Sequence, residues 1–389
     1  MTQTRTAFLP FHRASIDEAE IQAVVDVLKS GWLTSGPRVK EFEAAFADYT
    51  GAAHVLAVNS CTSALHLALA VAGVGEGDEV IIPTMTFAAT GETVFYQKAR
   101  PVLVDSTANS FHADIREIER AITPRTRAIV PMHYAGYPCD MDPVLQLAER
   151  HGLQVIEDAA HAFPASYKGR MIGAVGHLTC FSFYATKTIT TGEGGMITTA
   201  NAEFADRLRI LALHGISRDA WNRYTAKGTW RYDILEVGYK YNLTDLQAAL
   251  GLAQLTKAEE LRARRAAIAA QYTEMLSSME EFAPPPEPND ESHAWHLYVI
   301  RVNPAALTIS RDQVIEELKA RGIGTSVHFI PLHLHSLYQK KLGYADGQFP
   351  NAERHFENAI SLPLFPAMTD EDVARVMDAM REISLVFRK

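Results

Sequence analysis

Cysteine is scarce. Cys61, Cys139 and Cys180 are the only three in 389 residues, and no two of them share a CxxC spacing. An odd, scattered set argues against a disulfide framework and suits a reducing compartment. No apolar run reaches 18 residues, so no transmembrane helix and no membrane partner are expected. Met1 to Pro10 has no apolar core of signal-peptide length, and a cytoplasmic protein is expected. Long basic runs are missing too, and the formal net charge of −9 argues against a nucleic-acid partner. An anionic substrate would need local Arg, Lys and His to override that sign. Internal repeats and low-complexity segments are also absent. What remains is an ordinary globular composition, 47% hydrophobic and 21% charged, in a chain long enough for two domains.

The first two segments read as amphipathic helices. Ser15 to Ser30 has helical periodicity, with Ser15 and Glu18 at capping-box spacing. After the loop Gly31 to Pro37, Val39, Phe42, Phe46 and Tyr49 share one helical face. Then short apolar runs alternate with helical segments. The expected strands are His54–Val58, Glu79–Ile82, Val102–Val104, Ala128–Met132, Gln154–Ile156, Leu178–Phe183 and Met196–Thr198. Helices are expected between them at Ala64–Val71, Ile115–Ala121 and Pro143–His151. Continuous apolar strands alternating with helices indicate an α/β fold, a mostly parallel sheet covered on both faces. A polar, aromatic stretch with Trp221, Tyr224, Trp230 and Tyr232 reads as a long functional loop or interface. Thr244 and Gln247 form a second capping box, opening a helix that runs through Leu250 and Leu261 toward Met275 as a connector. Pro-rich Ala283 to Pro288 reads as a stiff, extended linker or loop. From about Ala294 the chain alternates Leu297–Val302, Asp312–Ala320, Thr325–His328 and Glu371–Glu382, a small α+β unit. The expected division is 1–250 for a large domain and 251–389 for the connector helix and a small domain.

Ligands on parallel sheets bind beyond the carboxyl ends of the strands. After His54–Val58 come Asn59-Ser-Cys-Thr-Ser63 and a helix, where free N–H groups can receive a phosphate. After Glu79–Ile82 comes Pro83-Thr-Met-Thr-Phe87, whose ring can cover a planar ligand. After Gln154–Ile156 comes Glu157-Asp158-Ala-Ala-His161, a carboxylate for a cationic ring nitrogen and an imidazole for a ring hydroxyl. After Leu178–Phe183 comes Lys187, followed by Gly192, Gly194 and Gly195. A lysine held at the end of a buried strand is poorly solvated, which lowers its pKa and frees the amine for Schiff-base chemistry. Taken singly, each feature has a plainer explanation: a helix cap, a core aromatic, a core histidine, a solvated lysine. Taken together, they match the phosphate, ring, ring nitrogen and aldehyde of pyridoxal 5'-phosphate. Ser182 adds a further phosphate contact.

The stretches GWLTSGP, VNSCTSALHLAL, GDEVIIPTMTF, VIEDAAHA, FSFYATKTITTGEGGMITT, HGIS, YKYNLTDLQAALG and VHFIPLH closely resemble the DegT/DnrJ/StrS family of pyridoxal-phosphate-dependent nucleotide-sugar aminotransferases. The chain is most similar to enzymes that aminate UDP-linked 4-keto sugars, such as those making 4-amino-4-deoxy-arabinose. The resemblance implies an aspartate-aminotransferase-like fold (fold type I), with a seven-stranded sheet and a smaller C-terminal domain. It also implies a homodimer with shared active sites. It makes Lys187 the Schiff-base lysine and Asp158 the partner of the pyridine nitrogen. By the same token Thr62, Ser63 and Ser182 bind phosphate, Phe87 stacks on the ring, and Asn242 reaches the phosphate of the neighbouring subunit. The family often has Gln where this chain has His161. Some relatives with His in place of the lysine are dehydratases, a branch that Lys187 argues against. The implied reaction moves an amino group from L-glutamate to a keto sugar nucleotide and releases 2-oxoglutarate. Candidates for binding carboxylates and diphosphate are His214, Arg218, Arg231, Lys240 and His328, with Lys240 and His328 preferred.

Two other readings are available. One is a cofactor-binding regulator or scaffold of the same fold that has lost turnover, which the full set of lysine, aspartate and phosphate residues disfavours. The other is a metal hydrolase using His328, His333 and His335. That segment supplies no Cys or carboxylate, so substrate contact by His328 or plain structural roles are preferred.

Overall fold

The computed structural model describes residues 8–217, 231–286 and 292–389. Its centre is a seven-stranded sheet. The strands are β1 His54–Val58, β2 Glu79–Pro83, β3 Arg100–Val104, β4 Thr126–Ile129, β5 Gln154–Asp158, β8 Leu178–Ser182 and β9 Gly195–Thr199, in the order β1-β9-β8-β5-β4-β2-β3. A small hairpin, β6 Ser166–Tyr167 and β7 Arg170–Met171, lies between β5 and β8 in the chain. All seven expected strands are present. Only β9 is antiparallel to its neighbours.

The unbroken apolar character of the strands follows from burial of both faces. Successive side chains of a strand point to opposite sides. Val55, Ala57, Ile81, Val155, Phe181 and Met196 join one core with Phe42, Phe46, Phe163 and Phe183. Their chain neighbours Leu56, Val58, Ile82, Ile156, Cys180 and Ile197 join a second core with Leu65, Leu67 and Leu69 of the helix Cys61–Val71. A third core lies around the antiparallel sheet of β10 Phe282–Ala283, β11 Tyr298–Val302 and β12 Ala359–Leu362, and it takes in Leu9 from the N-terminal segment. Leu332, Tyr338, Phe349 and Ala352 pack instead in the second core, against the large sheet.

Three local expectations change. The first helix is Glu18–Ser30, and its capping box is Asp17 with Glu20, two residues beyond Ser15 and Glu18. Asp17 accepts from the Ala19 N–H, and the Glu20 carboxylate accepts from the Asp17 N–H. Lys257 rewards that choice, with its ammonium 2.8 Å from Asp17 and 2.6 Å from Glu20. The expected connector is two helices, Asp245–Thr256 and Ala258–Leu276, because Lys257 leaves the helical region (φ −114°, ψ 14°) where it meets those carboxylates. Thr325–His328 does not form a strand. Ser326 makes a single bridge to Ser361, and the His328 ring then takes the Ser361 hydroxyl. Trp221, Tyr224, Trp230, Arg218 and Pro288 lie outside the described residues.

The carboxyl edge of the large sheet collects the polar turns. Val58, Gly195 and Ser182 stand side by side in register, and Asp158 pairs with Cys180 on the next strand. The antiparallel β9 begins where its neighbours end, so both ends of the 183–194 loop sit at this edge. Gly195 is required there. A Cβ would fall 2.6 Å from the carbonyl carbon and oxygen of Ser60 and 2.7 Å from the Cys61 nitrogen, all backbone atoms that cannot swing away. We expect Gly195→Ala to lower the urea-unfolding free energy by ~1–3 kcal/mol, the range for overpacking a rigid contact. An unchanged midpoint and slope would show that the helix start can shift without cost.

Candidate active site

The 183–194 loop holds Lys187 by its backbone and by its threonines. The Phe183 N–H donates to Gly194 O (2.9 Å), and the Phe183 carbonyl accepts from the Thr191 N–H and the Thr190 hydroxyl (3.0 Å each). Thr188 donates to the carbonyl of Phe163. A tight turn from the Lys187 N–H to Tyr184 O (2.9 Å) leaves the side chain half-buried over the sheet edge. Burial lowers its pKa from 10.5 to about 8, while Cys61 and Asp158 act in the opposite sense.

Asp158 ends β5 and is buried. Its Oδ2 accepts from the Thr90 hydroxyl (2.6 Å) and its Oδ1 from the Ala160 N–H (3.2 Å). Burial pushes its carboxyl upward, and Thr90, Ala160 and Lys187 oppose the shift. Among the described residues no basic side chain is hydrogen-bonded to it. His161 Nδ1 accepts from the Ala135 N–H (3.2 Å), so in the neutral ring the proton sits on Nε2. Its ring stacks on Phe329 at 5.7 Å and tilts against His296 at 4.4 Å. Burial holds its pKa well below the ordinary histidine value.

Ser60 caps the helix Cys61–Val71 by accepting from the Ser63 N–H (3.1 Å). The Ser63 hydroxyl donates to Asn59 Oδ1 (2.6 Å), so the side chain is largely committed to the cap. Thr62 is half-buried in the first turn. The N–H groups of Cys61 and Thr62 come before the first intrahelical bond and are left for another acceptor. Cys61 Sγ touches the Cys180 carbonyl, which joins this helix start to the strand beside Asp158. Ser182 ends β8 across β9 from Val58, with its hydroxyl accepting from the Tyr184 N–H (3.3 Å). Phe87 directly precedes the helix Ala88–Tyr96. It is 58% exposed, and its ring is 5.8 Å from Phe329.

Asn242 bridges Val58 in the same chain and donates to the Ser35 hydroxyl (2.7 Å). Lys240 is exposed beside it, its carbonyl accepting from Asn59. His328 is held by the Ser361 hydroxyl (2.8 Å), and its pKa is lowered to about 4, first by burial and then by Lys187. His214 and Arg231 are exposed on neighbouring segments. Thr84 and Glu353 engage the two ring nitrogens of His333 at 2.8 and 2.9 Å, and His335 precedes the helix Ser336–Leu342. The three histidines of that segment are thus used separately.

Lys187 bears electrostatically on Asp158, Cys61, His161, His328, His12 and His296, so one neighbourhood gathers them. Thr90, Cys61, His12 and His296 are additions that the chain read alone did not single out. Thr90 lies within a helix and carries no motif. The residues fit pyridoxal phosphate: a buried carboxylate to which no basic side chain among the described residues is hydrogen-bonded, a helix start with free donors, an uncovered aromatic face and a poorly solvated amine.

Comparison with known proteins agrees with this chemistry. Residues 14–381 match the DegT/DnrJ/EryC1/StrS aminotransferase family. The spore coat polysaccharide biosynthesis protein SpsC of Bacillus subtilis is 49% identical over 384 residues, 98% of this chain and 99% of that protein. Spr1654 of Streptococcus pneumoniae, solved in its PLP and PMP forms, is 37% identical with a TM-score of 0.91; the PLP form covers 97% of this chain and 99% of its own. Helicobacter pylori PseC, an aminotransferase involved in the biosynthesis of pseudoaminic acid, is 29% identical with a TM-score of 0.90, over 98% of this chain and 100% of its own. The chain belongs to the DegT/DnrJ/EryC1/StrS aminotransferase family. It is a pyridoxal-phosphate-dependent sugar aminotransferase of fold type I. No helix among the described residues is long and apolar enough to cross a membrane.

The lowered pKa of Lys187 has a consequence for stability. Between about pH 8 and 10.5 the unfolded chain binds a proton at this site that the folded chain has given up. Stability of the cofactor-free protein therefore rises with pH across that window. Urea midpoints at the two ends should show this gain in wild type and lose it in Lys187→Met. An equal pH response in both proteins would refute the assignment.

Proposed function

We propose that the enzyme transfers an amino group from L-glutamate to a nucleotide-linked keto sugar, a UDP-4-keto hexose or pentose, as a homodimer in the cytoplasm. The observation that carries the reading is the convergence of Lys187, Asp158 and the Ser60 helix start on one sheet edge. The N–H groups of Cys61 and Thr62, with the hydroxyls of Thr62 and Ser182, hold the cofactor's phosphate, and the Ser63 hydroxyl joins them by turning away from Asn59 Oδ1. Phe87 covers the ring, and His161 offers Nε2–H to the ring hydroxyl. Bound there, pyridoxal phosphate supplies an aldehyde that exchanges amino groups and a ring that takes up the electron pair of the reacting carbon.

The protein residues then have distinct tasks. Asp158 keeps a negative charge at the ring nitrogen, which favours a protonated nitrogen. Lys187 Nζ, uncharged above its lowered pKa, takes the proton from the α-carbon of glutamate and redelivers it as general acid. With the sugar the same amine works in the reverse order. In this reading His328 and Lys240 bind the anionic parts of the substrates. Asn242 is tied to Ser35 in a loop whose Trp32 and Leu33 are exposed, the kind of apolar surface a second copy covers. In that dimer Asn242 serves the partner's phosphate.

A panel of keto sugar nucleotides assayed for glutamate-dependent amine formation tests the reading; no amine from any UDP-linked 4-keto sugar would overturn it. Asp158→Asn should retain the cofactor yet lower kcat by ~10²-fold or more, the scale of a lost charge stabiliser. Wild-type kcat would remove that role. A heterodimer of one Lys187→Ala chain and one Asn242→Ala chain should keep roughly half of wild-type activity, since one site retains both residues. With both changes on one chain, no site is complete and activity should fall further. The reverse order would place Asn242 in its own chain's site.

A further inference from the structure

Arg265 lies on the helix Ala258–Leu276 and is 1% exposed. Among the described residues it has no carboxylate partner. Its Nη1 donates to the carbonyls of Leu364 (2.7 Å) and Trp295 (3.4 Å), and its Nε is buried without an acceptor. A buried guanidinium with no counter-charge is costly to keep unless an anion arrives to share it.

His296 follows Trp295 and is also buried, with Nδ1 unpartnered. Its ring is 4.4 Å from that of His161. The charges that bear on it are Lys187, His161, Arg265 and His328, all basic. His12 joins Arg265 to the lysine loop. Its Nε2 meets the Ala185 carbonyl at 3.0 Å, and its ring lies edge-on to Phe365, the residue after Leu364. The nearby carboxylate, Asp158, is engaged by Thr90 and Ala160.

We infer that Arg265 and His296 form a subsite for a carboxylate of the amino donor, with His12 positioning the lysine loop against it. The inference rests on the reading of the protein as a glutamate-dependent aminotransferase. Two orphaned buried nitrogens, a planar fork and no acid describe a site for a small planar anion. The diphosphate of a sugar nucleotide is a poorer match, because its nucleoside must stay near solvent while Arg265 is enclosed. Exposed Lys240 suits that anion better.

The test uses Arg265→Lys, Arg265→Gln and His296→Asn. The donor and sugar half-reactions of the loaded enzyme are followed by the cofactor's absorbance. Succinate affinity of the cofactor-free protein is measured by calorimetry. Each variant should raise KM for glutamate about ten-fold or more, the scale of a charge-assisted hydrogen bond, and weaken succinate to match. The keto-sugar half-reaction should keep its wild-type rate. Arg265→Lys should recover part of what Arg265→Gln loses. Equal losses in both half-reactions with unchanged succinate affinity would overturn the subsite. If the Arg265 variants do not fold, His296→Asn decides through the same two measurements. Wild-type protein inert toward glutamate, with succinate binding still sensitive to these residues, would refute the donor while upholding the subsite.

Discussion

Withholding water from one ammonium group is the constraint on which this protein depends. Lys187 would be an ordinary charged lysine on an open loop. Here its loop is pinned by Thr188, Thr190 and Thr191 to carbonyls of Phe163, Phe183 and Glu193. The amine is left half-buried with its pKa drawn down to about 8. The antiparallel return of β9 makes this possible. A parallel continuation would carry the chain away from the edge. The reversal keeps both ends of the loop over the strand ends, beside Asp158 and the Ser60 helix start.

The same edge separates structural from chemical polarity. Below it, alternate residues of each strand feed two apolar cores. The buried Glu157 there takes His133, Thr179 and the Gly176 N–H. Above it, Arg265 Nε and His296 Nδ1 are buried without partners, and the N–H groups of Cys61 and Thr62 come before the first intrahelical bond. Unsatisfied polar groups are expensive. One of them, His296 Nδ1, lies within the electrostatic reach of Lys187.

Much of this was legible in the linear order of residues. The seven strands, the helix Pro37–Thr50 and the capping box of Thr244 with Gln247 could be read because period, turn residues and caps are local properties. Lys187, Asp158, Thr62, Ser63 and Phe87 could be proposed because each follows an expected strand, and Ser182 because it lies at the end of one. The small errors had distant causes. The first helix is capped at Asp17 because Lys257, 240 positions away, rewards the carboxylates of Asp17 and Glu20. The break at Lys257 in the expected connector helix occurs at that same contact.

The order of residues therefore determined which elements form, which face of each is apolar and which turns carry chemistry, since these depend on neighbours within a few positions. Folding decided the rest. It set Thr90 on Asp158, moved Asn242 beside Val58, dispersed His328, His333 and His335 among separate partners, and left Arg265 buried without an acid. Burial and pairing depend on which segments meet in space, and no local pattern records how a side chain loses its water.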